Sequence, residues 1–343
     1  MTLKRTTGAG YGLLVMFCLL FGVEAVLHDD DWLYRYRSVF AAGRALDKLR
    51  YVESYVPEIL LIGNSRVDNG FDPKTLSNVI GGRVSAFNLG IPGANARILY
   101  GIMSNLAEAR LLGPGHIDHV VIGLDESVLQ SGDDLGYSVF FANRGVLWQQ
   151  HEYRDWLASW VRLWGYSPNL KKLREPAKLV AFVDATRGSV PPHGGAASEH
   201  LGYRAGIAGA FQDSGQIQFQ EAGSKNPPDK MTLDYFWRLL DLLVKQQVNV
   251  AVLFPPLLNR NVLYLSPGDP AATQYLSVAR QLTARGVPLI DLEPNHERDV
   301  SEFSNPGHLN DRGAQRYTRL LAYELKKVWG RQILSEAVAH DIQ

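Results

Sequence analysis

Ser65 and His308 are the two residues whose types and surroundings could support nucleophilic catalysis. Ser65 follows the apolar run 59–62 in a Gly-Asn-Ser sequence, and His308 ends an Asn-Pro-Gly-His sequence that spans 305–308. A serine hydroxyl becomes a strong nucleophile when a nearby base accepts its proton, and histidine commonly serves as that base. Acyl transfer is the chemistry that such a pair would perform. The structural alternative is that Ser65 only caps the helix or turn that follows it.

Two other candidate site residues, Gly93 and Asp125, also follow predicted strands. Gly93 leads into a predicted helix that begins at Ala96, and its backbone N–H could approach an oxyanion closely. For Gly93 taken by itself, a plain strand-to-helix turn is the favoured explanation. Asp125 could position substrate, could donate a hydrogen bond to an oxyanion if it were protonated, or could cap a following turn.

The surrounding elements alternate between strand and helix, which predicts an α/β fold with a mostly parallel sheet covered on both faces. The predicted strands are 58–62, 84–87, 117–123, 248–254 and 288–291. The predicted helices include 96–112, a stripe through 233–244, a helix that Asp269 caps and Pro270 begins, and a last helix over 311–329 with Gly330 beyond its end. Open parallel sheets bind ligands at the carboxyl ends of their strands, where Ser65, Gly93 and Asp125 all fall.

Residues 131–230 interrupt this alternation and predict a partly helical insertion that covers the open edge of the site and contacts substrate. A disordered surface excursion is the alternative for the polar, Gly/Pro-rich part, 189–230. Trp156, Trp160 and Trp164 recur at helical spacing, which favours packing in a core over stacking on sugar rings.

The N-terminus predicts a membrane segment. Lys4 and Arg5 precede an apolar stretch over 8–27, and three aspartates follow at 29–31. The stretch is long enough for a membrane helix, and the charges predict a cytoplasmic N-terminus with the remaining chain outside the cytoplasm. An uncleaved anchor over 1–28 is favoured over a signal peptide cleaved after Ala25 and over a buried core helix. Residues 29–56 then form a helical connector, 57–330 the main domain, and 331–343 a tail.

Composition narrows the function classes. Lys plus Arg equal Asp plus Glu at 35 each, so no basic field favours nucleic acid. Cys18 is the single cysteine, so no internal disulfide can form. The histidines, His193 and His200 among them, lack metal-ligand spacing, so we expect no metal and no cofactor.

Taken in order, these blocks resemble the SGNH (GDSL-like) hydrolase superfamily over residues from about 57 to 330. Gly-Asn-Ser at 63–65 resembles the nucleophile block, Gly93 the second-block oxyanion glycine, and Asn-Pro-Gly-His at 305–308 the block of the base. Gly-Asn-Ser-Arg, Gly-Leu-Asp and His-Leu-Asn look like the bacterial membrane-anchored branch near polysaccharide O-acetyltransferases. The resemblance implies a three-layer α/β/α sandwich.

Two positions depart from the superfamily pattern. Asp125 stands where the third block has an oxyanion asparagine, and Asn305 stands where the last block has the triad aspartate. Asparagine can orient a histidine through its side-chain oxygen but cannot stabilise imidazolium as a carboxylate does. Three outcomes follow: a Ser-His-Asn site, recruitment of Glu302 or Asp291 as the acid, or a weak catalyst.

The resemblance implies an esterase or O-acyltransferase, most of all O-acetylation or deacetylation of a cell-envelope or secreted polysaccharide. It also implies a single-pass protein of the bacterial inner membrane with a periplasmic or extracellular domain, and a membrane protein that passes acyl groups across the bilayer as partner. The alternative is an inactive SGNH-like scaffold that binds glycan or assembly partners.

Overall fold

The computed structural model describes residues 3–81, 84–132, 136–189, 195–210, 227–258, 270–292 and 299–339. The chain forms two compact units. The first, called here the helical unit, comprises Met1–Leu46 and Leu135–Pro192, and the second, the α/β unit, comprises Asp47–Asp134 and His193–Gln343. The boundary after Leu46 lies inside the predicted connector, 29–56. The boundary after Asp134 lies near the start of the predicted insertion, 131–230.

The elements follow one another in chain order. They are α1 (Leu3–Leu27), α2 (Asp30–Arg35), α3 (Ala41–Tyr55), β1 (Ile59–Gly63), α4 (Ser65–Gly70), α5 (Pro73–Ile80), β2 (Ala86–Gly90), α6 (Ala96–Glu108), β3 (His119–Gly123), α7 (Tyr137–Phe140), α8 (Arg144–Gln149), α9 (Tyr153–Ala158), α10 (Arg162–Leu170), α11 (Pro176–Arg187), α12 (Gly195–Glu199), α13 (Lys230–Lys245), β4 (Asn249–Phe254), α14 (Pro270–Ala284), β5 (Leu289–Asp291), β6 (Phe303–Asn305), β7 (His308–Leu309) and α15 (Asp311–Ala339).

The α/β unit is built on a five-stranded sheet in the order β2-β1-β3-β4-β5. All four strand pairs are parallel, and the register sets Gly63 of β1 opposite Gly90 of β2. The chain turns from β2 to the other side of β1 when it enters β3. This reversal creates a crevice at the carboxyl ends of β1 and β3, which is where sheets of this kind bind ligands.

Helices cover both faces of the sheet. Leu61, Val121 and Leu253 pack into one core with Tyr317 and Leu321 of α15. The strand residues that alternate with them, such as Leu60 and Val120, are also fully buried, so the opposite face is covered too. On that face α6 and α13 pack against each other, and α13 packs on β4. The predicted α/β sheet with two covered faces is confirmed.

The last helix differs from the prediction. It continues past Gly330 to Ala339, whereas we expected Gly330 to lie beyond its end. A glycine within a helix costs only about 1 kcal/mol relative to alanine. The following residues, 331–339, are mostly good helix formers, so the helix tolerates this one position.

The N-terminal helix is almost entirely exposed. Its window Gly10–Leu27 has a mean hydropathy of 2.1, and only 6% of that window is buried. Length and composition therefore suit a membrane span or a signal sequence. The exposure of this helix contradicts the third alternative, a buried core helix.

Candidate active site

Ser65 and His308 lie in direct contact. Ser65 Oγ is 2.8 Å from His308 Nε2, although the residues are 243 positions apart in the chain. Ser65 is the first residue of α4, directly after β1, and His308 begins the short strand β7. The carboxyl end of a buried strand and the β6–β7 hairpin therefore supply the two groups.

Asn305 occupies the position of a triad acid. Its Oδ1 is 2.9 Å from His308 Nδ1 and also accepts a hydrogen bond from the Gly307 N–H. Because a backbone N–H can only donate, the atom that faces it must be the amide oxygen. That oxygen can only accept, so Nδ1 of His308 carries the proton and Nε2 is free to accept one from Ser65.

The pKa of His308 is lowered from its ordinary value. Burial is the largest cause, because it disfavours the imidazolium, and the charge of Arg66 adds to it. Asp125 opposes this shift and Arg204 reinforces it. His308 is therefore neutral near pH 7, which is the state that a base requires.

Neither Glu302 nor Asp291 takes the position of the triad acid at His308 Nδ1. The Glu302 carboxylate accepts a hydrogen bond of 2.6 Å from Arg316, and Asp291 pairs with Phe254 at the edge of the sheet. The contact at Nδ1 is made by Asn305. The geometry is thus that of a Ser-His-Asn relay.

Asn64, rather than Ser65, caps the helix that follows β1. Its side-chain oxygen accepts from the Arg66 N–H, and its Nδ2 donates to Asp125 Oδ2 and to Ser127 Oγ, each at 2.7 Å. The cap therefore also joins the ends of β1 and β3. The interpretation of Ser65 as a mere helix cap is wrong, because Asn64 is the N-cap residue and the Ser65 hydroxyl contacts His308 instead.

Asp125 is ionised and serves as a structural acceptor. It caps the turn after β3 by accepting from the Ser127 N–H, and Arg66 Nη1 lies 2.9 Å from its Oδ2. Burial alone would raise the pKa of Asp125, but Arg66 and the hydrogen bonds from Ser127 and Asn64 hold this pKa below its ordinary value. A carboxylate cannot donate, so the alternative in which protonated Asp125 holds an oxyanion is wrong. Glu126 also binds Arg66, at 3.0 Å.

Gly93 lies in the turn between β2 and α6. Its φ of 80° falls in the left-handed region, which a glycine adopts without strain. Asn95 caps α6 by accepting from the Ile98 N–H. Among the described residues, no protein acceptor contacts the Gly93 N–H or the Ser65 N–H, so both donors are available to a ligand.

Three strand-end glycines make room for the helix that carries Ser65. A Cβ on Gly63 or on Gly123 would lie 2.4 or 2.2 Å from a methyl group of Val67. A Cβ on Gly90 would lie 2.2 Å from the backbone nitrogen of Asp68. Side chains at these positions would push α4 away from the sheet, so the glycines fix the distance between the serine and the strand ends.

A buried ion pair supports the same helix and was not found by sequence reasoning. Lys48 Nζ donates to Asp68 Oδ1 and to the carbonyl oxygen of Gly90, each at 2.6 Å. The side chains of Lys48 and Asp68 are 2% and 0% exposed. Lys48 of α3 therefore joins α4 to the end of β2, directly before the turn that holds Gly93.

Part of the predicted insertion reaches the edge of the sheet. The carbonyl of Leu201 accepts from the Asn88 N–H of β2, and the Arg204 N–H donates to the carbonyl of Asp68. Gly202 lies so close to this strand that a Cβ would be 2.1 Å from the Asn88 carbonyl oxygen. The predicted helical part of the insertion is formed by α7–α11, while 133–135, 190–194 and 211–226 lie outside the described residues.

The contact between Asn305 and His308 predicts how an activity that uses His308 as its base would depend on pH. A base acts in its neutral form and the pKa of His308 is lowered, so for such an activity we expect kcat/KM to stay on its plateau as the pH falls to the ordinary histidine range and to decline only below it. Asn305→Asp would place a carboxylate on Nδ1, raise the pKa of His308 and move the acid limb to higher pH. A charged acceptor strengthens that hydrogen bond, so we expect plateau kcat/KM to rise about tenfold.

The measurement is a pH–rate profile with a nitrophenyl ester. Asn78→Asp, the same substitution at an exposed position of α5, is the matched control and should leave the profile unchanged. An acid limb that does not move in Asn305→Asp would contradict the assignment of His308 as the base.

Within the described part of the chain, no group of three histidine, cysteine or acidic side chains is arranged to hold a metal ion. The candidate site consists of the Ser65–His308–Asn305 relay and its supporting ion pairs. Comparison of the chain with protein-family models and with curated proteins gives no match.

Proposed function

We propose that this protein is a serine-dependent acyltransferase or esterase of SGNH-like fold that acts outside the cytoplasm. The observation that carries the proposal is the relay in which Ser65 Oγ contacts His308 Nε2 and His308 Nδ1 contacts Asn305. The order of the blocks along the chain, with Ser65, Gly93 and Asp125 after three neighbouring strands, supports the SGNH-like assignment.

The first half-reaction transfers the acyl group to Ser65. His308 Nε2 accepts the hydroxyl proton as Oγ attacks the carbonyl carbon of an ester. The N–H groups of Ser65 and Gly93 hold the negative charge that develops on the carbonyl oxygen. The tetrahedral intermediate collapses, the alkoxide leaving group takes the proton from His308, and an acyl-serine remains.

The second half-reaction moves the acyl group to a hydroxyl. His308 accepts the proton of the acceptor as its oxygen attacks the acyl-serine carbonyl, and the proton then returns to Ser65 Oγ. A sugar hydroxyl as acceptor makes the protein a polysaccharide O-acyltransferase, and water makes it an esterase. The resemblance favours O-acetylation or deacetylation of a cell-envelope or secreted polysaccharide.

The proposed location is the outer side of a bacterial inner membrane, with α1 as a single-pass anchor. Lys4 and Arg5 before the apolar window and the aspartates at 29–31 after it favour this orientation. Glu24 supports retention of the helix over cleavage after Ala25, because its carboxylate accepts hydrogen bonds from the Arg162 and Leu163 N–H groups. A membrane protein that passes acyl groups across the bilayer is the partner that the resemblance favours.

Mass spectrometry of a reaction with an acetyl donor and acceptor oligosaccharides tests the activity. The full-length protein is incubated with nitrophenyl acetate, quenched in acid and digested, and we expect an acetyl group on the peptide that contains Ser65. Omission of the oligosaccharide is the control that separates transfer to sugar from hydrolysis.

The products distinguish the alternatives. Acetylated oligosaccharide identifies a transferase, and acetate release alone at every acceptor concentration identifies an esterase. If neither product nor acetylated peptide forms, the enzyme proposal is wrong and the protein is an SGNH-like scaffold that binds glycan or assembly partners.

A further inference from the structure

The helical unit exposes a set of large apolar side chains that we call the aromatic surface. It comprises Trp148, Leu157, Trp160, Val161 and Trp164, whose exposed fractions range from 44% to 61%. We expected the helically spaced tryptophans to pack in a core, and for Trp160 and Trp164 this is wrong. The helix ends at Ala158 and a new one begins at Arg162, so the helical spacing does not continue.

Trp148 and Trp160 of this surface are connected through the ring of the partly buried Trp156. Trp148 and Trp156 have centroids 5.0 Å apart, and Trp156 and Trp160 have centroids 6.0 Å apart. The guanidinium of Arg144 lies 4.1 Å above the ring of Trp160. Contiguous exposed apolar side chains on a folded unit mark an interaction surface more often than scattered ones do.

Glu24 connects this surface to the outer end of the apolar helix. Its carboxylate binds the first two backbone N–H groups of α10, those of Arg162 and Leu163. Glu24 itself lies in the window Gly10–Leu27, three residues before the end of α1. Val161 and Trp164 therefore lie at the level where α1 would leave the hydrocarbon of a bilayer.

The charge of the surrounding segment matches an anionic membrane. The segment 135–192 contains eight basic and four acidic residues, whereas the whole chain is balanced. A groove of about 400 Å³ beside the aromatic surface is lined by Leu163 and Leu170 together with Lys171 and Arg174. Apolar and basic side chains side by side suit an acyl chain and the phosphate of one phospholipid.

We propose that the aromatic surface lies in the interfacial layer of the bilayer and binds anionic phospholipid. Tryptophan favours this layer because its ring is apolar and its N–H is polar. The contact holds the helical unit against the membrane beside its anchor. This inference rests on the proposed anchor but not on the proposed acyl chemistry.

Quenching by nitroxide-labelled lipids tests the contact in the full-length protein. The native Cys18, exposed in α1, is labelled with an environment-sensitive fluorophore as the control for the anchor. Leu157→Cys and Trp164→Cys, each combined with Cys18→Ser, report on the surface. Val244→Cys in the same background is the matched control, because Val244 is an apolar residue of α13 that is 64% exposed.

We expect the labels at positions 157 and 164 to lose roughly half of their emission in phosphatidylcholine vesicles with phosphatidylglycerol, and the label at 244 to lose little. Replacing phosphatidylglycerol with phosphatidylcholine should weaken the quenching.

The proposal is wrong if position 18 is quenched and positions 157 and 164 are not, or if position 244 is quenched equally. If the fluorophores shift to the blue without lipid quenching and the protein doubles in mass, a second copy covers the surface and the proposal is also wrong. If position 18 itself is not quenched, the anchor is wrong and the inference fails with it, while ester turnover is unaffected.

Discussion

Ser65→Ala is expected to lower kcat/KM for an acyl ester by about 10³-fold or more and to abolish covalent labelling by a serine-directed phosphonate. The substitution removes the single oxygen that contacts His308 Nε2 and leaves the Asn64 cap unchanged, so the protein should fold normally. His308→Gln should cause a loss of similar size, because the hydroxyl then has no base.

The double variant distinguishes a relay from two independent contributions. Ser65→Ala combined with His308→Gln should be no slower than the worse single variant, since groups that act as one unit are not additive. Ser54→Ala, at an exposed serine of α3, is the matched control and should retain full activity. Labelling that persists in Ser65→Ala would place the nucleophile elsewhere and overturn the proposed mechanism.

Lys48→Met is expected to destabilise the protein by roughly 3–5 kcal/mol, because it removes the buried ammonium group that binds Asp68 Oδ1. Thermal or denaturant unfolding measures the loss. Lys326→Met replaces an exposed lysine of α15 and should change stability by no more than about 0.5 kcal/mol.

A second variant separates stability from the positioning of the site. Lys48→Met combined with Asp68→Asn removes both charges and should recover much of the stability. We expect its kcat to remain below the wild-type value with KM little changed, because Lys48 no longer joins α4 to the Gly90 carbonyl before the turn that holds Gly93. Full recovery of kcat would show that Lys48 contributes to stability alone.

The strands and the Ser65–His308 contact could be anticipated from sequence for a simple physical reason. A strand buried on both faces needs an unbroken apolar run, as in residues 250–254 of β4, so its pattern is local. The site residues lie shortly after such runs or shortly before α15. The order of these motifs along the chain then limits which side chains can come into contact at the carboxyl ends of the strands.

The supporting contacts could not be anticipated, because each depends on residues distant in the chain. Nothing in the amphipathic pattern of α3 marks Lys48 as buried, because a lysine is ordinarily exposed and the partners of its ammonium group, Asp68 and the Gly90 carbonyl, are distant in the chain. The protonation of Asp125 depends on Arg66 and Asn64, which reach it only in the folded protein. The exposure of Trp160 and Trp164 depends on a break between two helices that spacing alone does not reveal.

The contact between Leu201 and Asn88 also affects the solubility of the protein. β2 is the outermost strand on its side of the sheet, and an unprotected outer strand can pair with a strand of another molecule and start aggregation. The carbonyl of Leu201 and the backbone of Gly202 occupy that position instead. The segment that leads to Arg204 therefore also covers part of this edge of the sheet.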